Sequence, residues 1–171
     1  MKIVIVDDEP KIRNGLSKLL SSRPGFEITG VFENAMEALE QLSVSYADVI
    51  ITDIKMPEIN GLDLINRIRE KDENTKIIIL SGYSDFSFAQ RAIELGVTRY
   101  LTKPTNAREL IGILEEIEKN IQKPRSEGKT RNESDKSFCS ESDGLHFYEL
   151  FTEADLDKDF RTTLYHAQLF E

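Results

Sequence analysis

Two hydrophobic periods alternate along the first 123 residues. Ile3-Val4-Ile5-Val6, Val49-Ile50-Ile51 and Ile77-Ile78-Ile79-Leu80 are short, continuous and rich in β-branched side chains. Such runs suit strands buried on both faces of a parallel sheet. Phe26 to Phe32 and Arg99 to Leu101 read as two further strands. The intervening segments carry apolar residues at helical spacing: Ile12, Leu16, Leu19 and Leu20; Ala35, Ala38, Leu39 and Leu42; Leu64, Ile65 and Ile68; Ala89, Ala92 and Ile93. The clearest set is Leu110, Ile113, Leu114, Ile117 and Ile121, one face of a single helix. Breakers separate the segments at Pro24-Gly25, Pro57, Gly61, Gly82, Gly96 and Pro104. Strict alternation of strand and helix predicts an α/β fold of five strands and five helices. Right-handed crossovers would make it a doubly wound parallel sheet.

The pattern stops at Lys123-Pro124. Residues 1–122 are expected to form one domain and 123–144 a polar, flexible linker, in which Phe138 and Cys139 are the apolar exceptions. Residues 145–171 regain apolar groups, among them Phe147, Leu150, Phe151, Leu156, Phe160 and Leu164. They suit a short amphipathic tail of one or two helices, too small to close a core alone.

Charge narrows the classes of partner. The chain has a net charge of −9, and neither half is basic: residues 1–123 carry 16 basic and 20 acidic groups. Neutralising a nucleic-acid backbone needs clustered Lys and Arg, so specific DNA binding by this chain is not expected. No run approaches the ~18 apolar residues of a membrane span. The apolar stretch at the N-terminus is too short for a secretion signal. A single cysteine, Cys139, fits a reducing compartment, and the expected location is cytoplasmic.

The chemistry gathers where the strands end. Asp7 and Asp8 follow the first strand, Asp53 ends the third, Ser81 ends the fourth and Lys103 follows the fifth. In a doubly wound sheet, ligands bind beyond the carboxyl ends of the strands. Three carboxylates, a hydroxyl and an ammonium would therefore share one rim. Crowded carboxylates raise one another's pKa, which a hard divalent cation such as Mg²⁺ would relieve. A carboxylate held ionised in this way is a nucleophile for phosphoryl transfer. Each residue also has an ordinary explanation alone. Asp8 would cap the helix starting near Pro10, Asp53 would turn the chain before Met56-Pro57, and Ser81-Gly82 would be a simple turn. The joint placement at successive strand ends favours the chemical reading.

The segments KIVIVDDEP (2–10), ITDIKMPEINGLDLI (51–65), ILSGYSDF (79–86) and YLTKP (100–104) resemble the receiver domains of two-component response regulators. The resemblance spans residues 1 to about 121. It implies a flavodoxin-like (βα)5 fold with strand order 2-1-3-4-5 and Asp53 as phospho-acceptor. It implies Mg²⁺ held by the side chains of Asp8 and Asp53 and the backbone carbonyl of Lys55, with Asp7 in the same acidic pocket. Ser81 and Tyr100 match the paired switch positions, Lys103 the phosphate-contacting lysine, and Lys103–Pro104 a cis peptide. Lys55 and Tyr83 match positions that tune the lifetime of the phospho-aspartate. The donor would be a sensor histidine kinase, so the chain would be a switch and not an enzyme. Its readout face would be helix 84–95, strand 98–101 and helix 106–121, which is also where a homodimer would form.

The run Leu80 to Phe86, with Ala89, Ala92, Gly96 and Tyr100, is similar to receivers joined to AraC-type DNA-binding domains. The 48 residues after position 123 are too few and too acidic for such a reader. Two readings follow: the receiver part of a transcription regulator, or a self-contained receiver serving a phosphorelay or a protein partner. A phosphatase with an aspartate nucleophile ranks behind, because position 55 is Lys where such enzymes carry a second Asp. Asp155, Asp157 and Asp159 mimic a calcium loop, but Phe160 and His166 stand where Gly and Glu are required. No glycine-rich phosphate loop is present, so the phosphoryl group must come from a partner.

Overall fold

The computed structural model describes residues 1–82 and 86–122, with the side chain of Phe86 excepted. The expected linker 123–144, the tail 145–171 and Tyr83 lie outside the described residues. Five strands alternate with five helices: β1 (Lys2–Val6), α1 (Pro10–Ser21), β2 (Glu27–Phe32), α2 (Ala35–Val44), β3 (Val49–Asp53), α3 (Gly61–Arg69), β4 (Lys76–Ser81), α4 (Phe86–Glu94), β5 (Arg99–Thr102) and α5 (Ala107–Gln122). The strands form one sheet in the order β2-β1-β3-β4-β5, all pairs parallel. This is the flavodoxin-like arrangement expected from the sequence.

The central strands are buried along nearly their whole length because both faces are covered. Ile3 and Ile5, Val49 and Ile51, Ile78 and Leu80 point to one side. There they pack with Leu20 of α1 and with Leu110, Ile113, Leu114 and Ile117 of α5. The alternate residues Val4, Val6, Ile50, Ile77 and Ile79 are equally buried on the other face. Helix starts follow local chemistry. Pro10 opens α1, while Asn34 and Asn60 accept the amides of Glu37 and Asp63 to cap α2 and α3.

Two apolar residues assigned to inner faces sit outside. Ile93 is 51% exposed, because α4 rests on the sheet through Ala89 and Ala92, and Ile93 lies beyond that narrow line. Ile121 is 45% exposed. A 16-residue helix is about 24 Å long, whereas β1 and β3 have five residues each, about 17 Å, so the last turn of α5 overruns the sheet. Strand β2 is an edge strand, and its residues are correspondingly half-exposed.

Candidate functional site

The carboxyl ends of β1, β3, β4 and β5 converge, and each delivers one of the residues anticipated there. Asp7 continues the line of β1: its amide donates to Phe32 O at 3.1 Å, and its side chain is buried. Its Oδ1 accepts the Glu9 amide at 2.9 Å, and its carbonyl accepts Arg13 Nη1 at 2.6 Å. Asp8 is exposed. Glu9, not Asp8, occupies the cap position of α1, which removes the capping explanation for Asp8.

Asp53 is the last residue of β3 and only 7% exposed. Its Oδ1 accepts the Ile54 amide at 2.5 Å, and its carbonyl accepts the Thr52 hydroxyl at 2.9 Å. The loop that follows folds back tightly, with Gly61 N donating to Ile54 O at 2.7 Å. Gly61 thereby presses against the Asp53 carbonyl, where a Cβ would come within 2.0 Å of the oxygen. Ser81 is buried at the end of β4, and its carbonyl accepts the Lys103 amide at 2.6 Å. The Lys103–Pro104 peptide is cis.

Lys103 joins these groups. Its ammonium donates to Asp53 Oδ2 at 2.7 Å, Asp7 Oδ2 at 2.8 Å and Glu9 Oε1 at 3.2 Å. Burial alone would lower its pKa. The bonds and charges of Asp53 and Asp7 outweigh that, so the net shift is upward and the lysine stays charged. Asp7 moves the other way from what its partner favours. Desolvation raises its pKa more than the Lys103 bond and the Glu9 amide lower it, and the neighbouring Asp53 adds to the rise.

Oxygens of Asp7, Asp8 and Asp53 lie within 4.8 Å of one another. With Glu9 the rim holds four acidic side chains against the single ammonium of Lys103 in this network. An all-oxygen donor set with excess negative charge fits a hard divalent ion. Zinc and other soft metals would want His or Cys.

Tyr100, in β5, is 2% exposed. Its ring already lies in the interior, so a movement of this ring on phosphorylation would not start from the outside in this conformation. The side chain of Lys55 is exposed. Glu9, Arg13 and Thr52 are neighbours that sequence reasoning passed over, and Gly61 was read only as a breaker between elements. Gly61 stands in the ITDIKMPEINGLDLI segment, where a glycine opening a helix was a visible sign of close backbone approach. Among the described residues, no helix is long and apolar enough to cross a membrane.

Comparison with known proteins converges on one family. Residues 3–115 match the response regulator receiver domain. The transcriptional regulatory protein YesN of Bacillus subtilis is 36% identical over 117 residues, which are 68% of this chain and 32% of YesN. YdfI of the same organism is 38% identical over 64% of this chain and 51% of its own length. The chain thus spans between a third and a half of these relatives. Among solved structures, the receiver domain of AraT, a response regulator from Geobacillus stearothermophilus, superposes with a TM-score of 0.62. It is 35% identical, over 70% of this chain and 94% of that domain. The receiver domain of Francisella response regulator 1452 gives a TM-score of 0.65 at 30% identity, over 71% of this chain and 98% of that one.

Proposed function

The chain belongs to the response regulator receiver domain family, and on that premise we propose that it is a phosphorylation-driven switch whose acceptor is Asp53. The observation that carries this reading is the position of Lys103, bonded to Asp53 and Asp7 at the rim where Asp8 also stands. The phosphodonor is a phosphohistidine of a sensor histidine kinase. An Asp53 carboxylate oxygen attacks phosphorus, the P–N bond breaks, and the imidazole leaves with the electron pair and takes up a proton. The Ile54 amide and Lys103 hold the two carboxylate oxygens of Asp53 in fixed directions, so little reorganisation precedes attack. As charge moves onto the phosphoryl oxygens, Lys103 follows it from the carboxylate, and the Ser81 hydroxyl donates to a phosphoryl oxygen.

Mg²⁺ would be held by Asp8, Asp53 and the Lys55 carbonyl beside Asp7, and when bound it supplies positive charge to both the carboxylates and the phosphoryl group. The protein's own part is to hold Asp53 aimed, through the Ile54 amide and Lys103. The conformational signal passes from Ser81 to Tyr100 and out to α4, β5 and α5, the face a second copy or another partner would read. The names of the relatives favour a role in transcription control, which this chain would exert in the cytoplasm through a DNA-binding partner or domain. The net charge of −9 speaks against DNA contact by this chain itself.

Intact mass after incubation with acetyl phosphate and Mg²⁺ tests the proposal. One phosphoryl group should be gained, and neither Asp53→Asn nor protein without Mg²⁺ should gain it. Uptake by Asp53→Asn, or none by the unaltered protein, would refute Asp53 as acceptor. The phosphorylated form should also decay faster in Lys55→Ala and in Tyr83→Ala, by several-fold each, because bulk at these positions is expected to hinder attacking water. Equal half-lives in all three proteins would sink that assignment.

A further inference from the structure

Helix α4 is held very differently at its C-terminal end and along its body. Among the described residues, its inward side chains are Ala89 and Ala92, with Phe88 half-buried. By contrast, α3 buries Leu62, Leu64, Ile65 and Ile68, and α5 buries five residues. Two alanines and a half-buried Phe88 remove less apolar surface from water than those sets do, so among the described residues the body of α4 is the more weakly anchored helix.

The end of the helix, by contrast, is tied by directional bonds. Gly96 adopts φ 62°, the left-handed conformation of a helix C-terminus. Gly96 N donates to Ile93 O at 2.9 Å and Val97 N to Ala92 O at 3.0 Å, which closes the last turn. The carbonyls of Leu95 and Gly96 are taken by one side chain from the neighbouring helix. Arg69, the last residue of α3, donates Nε to Leu95 O at 3.1 Å and Nη2 to Gly96 O at 3.2 Å. Its third nitrogen, Nη1, donates to Asp72 O at 3.1 Å in the turn after α3. A guanidinium here complements the negative end of the α4 dipole and makes charge-assisted bonds.

We propose that Arg69 is the pin of a hinge: it fixes the Leu95–Gly96 end of α4 to α3, so that α4 moves on phosphorylation by pivoting about that end. The moving part is then the N-terminal half, which joins Ser81 through only four intervening residues. A partner sensing the switch would read the first turns of α4 and not its last. The pivot rests on the proposed function, whereas the pin stands on the unphosphorylated protein alone.

Hydrogen exchange followed by mass spectrometry on the full chain separates the two. Without phosphodonor, Arg69→Gln should speed exchange of the amides of Leu95, Gly96 and Val97 by roughly tenfold or more, since two charge-assisted bonds are lost. Arg69→Lys should recover only part of the protection, because one ammonium cannot span both carbonyls as the planar fork does. Unchanged exchange at 95–97 in both variants would overturn the pin. With acetyl phosphate and Mg²⁺, exchange in the unaltered protein should change over 86–91 and stay constant over 95–97, and in Arg69→Gln the change should extend to 97. A uniform change along α4 in the unaltered protein would overturn the pivot. If the mass shows no phosphoryl gain, the proposed function and the pivot fail together, and the comparison without donor still decides the pin.

Discussion

Gly61→Ala is expected to destabilise the protein by about 2–4 kcal/mol, within the upper range of single substitutions, and to slow phosphoryl uptake at Asp53 as well. The added Cβ would stand 2.0 Å from the Asp53 carbonyl oxygen, 2.9 Å from its carbon and 3.0 Å from Ile54 Cα. All three are backbone atoms, so no rotamer change can make room. The strand end must shift away from α3, or α3 away from the strand. The first displaces Asp53 relative to Lys103, and the second breaks the bond from Gly61 N to Ile54 O. Urea unfolding gives the stability change, and the rate of mass gain with acetyl phosphate gives the functional one. By contrast, Gly112→Ala on α5 meets no neighbour within 4 Å and should be neutral to stabilising, since alanine favours helix. An unfolding midpoint for Gly61→Ala equal to the wild-type value would show that the loop accommodates a side chain freely.

Asp7→Asn is expected to be more stable than the unaltered protein near neutral pH and in the absence of Mg²⁺. Burial raises the pKa of Asp7 above its ordinary value, even with Lys103 at 2.8 Å, so its ionised form is costly in the folded state. An amide of the same shape avoids burying that charge, while Lys103 keeps Asp53 and Glu9 as partners, so the Tm should rise. A raised native pKa means that the folded protein holds this proton more tightly than the unfolded chain does. The Asp7 contribution to stability therefore grows as pH falls through the native pKa and levels off below the unfolded value of 3.8. Above the native pKa that contribution is absent. The advantage of Asp7→Asn should thus shrink as the pH is lowered from 7, and Mg²⁺ should reverse it by stabilising the ionised form of the unaltered protein. Thermal unfolding across pH, with and without Mg²⁺, reads both effects. A variant less stable than the parent at pH 7 without Mg²⁺ would mean that the Lys103 pairing outweighs the desolvation of Asp7.

These two expectations bear on how function is set against stability. The rim gathers Asp7, Asp8, Asp53 and Glu9 around one lysine. Such a cluster is costly for a fold, and the continuous apolar strands beneath it supply the rigidity that keeps it in place. β1, β3 and β4 resist displacement, because every apolar side chain along them is buried.

Some of this was legible in the chain. Ile3 to Val6, Val49 to Ile51 and Ile77 to Leu80 declare buried parallel strands by unbroken β-branched runs. The strand-and-helix alternation then orders the elements, and the ends of those runs point to Asp7, Asp53 and Ser81. These are local signals, carried by neighbours in sequence. Other features depend on residues far apart meeting in space. Glu9 reaches Lys103 across 94 residues, and Arg69 reaches Gly96 across 27. Whether Ile93 or Ile121 lies inside depended on how close α4 sits and how far α5 outruns the sheet, not on helical spacing. The distance between Gly61 and the Asp53 carbonyl was likewise set by the return of the loop between them. The pattern of side chains thus determined which elements form and which strand ends carry the chemistry, because periodicity and burial act residue by residue. The tertiary structure alone decided which charges share Lys103, which backbone leaves no room for a Cβ and which helix end is pinned, because each is a contact made when separate elements pack.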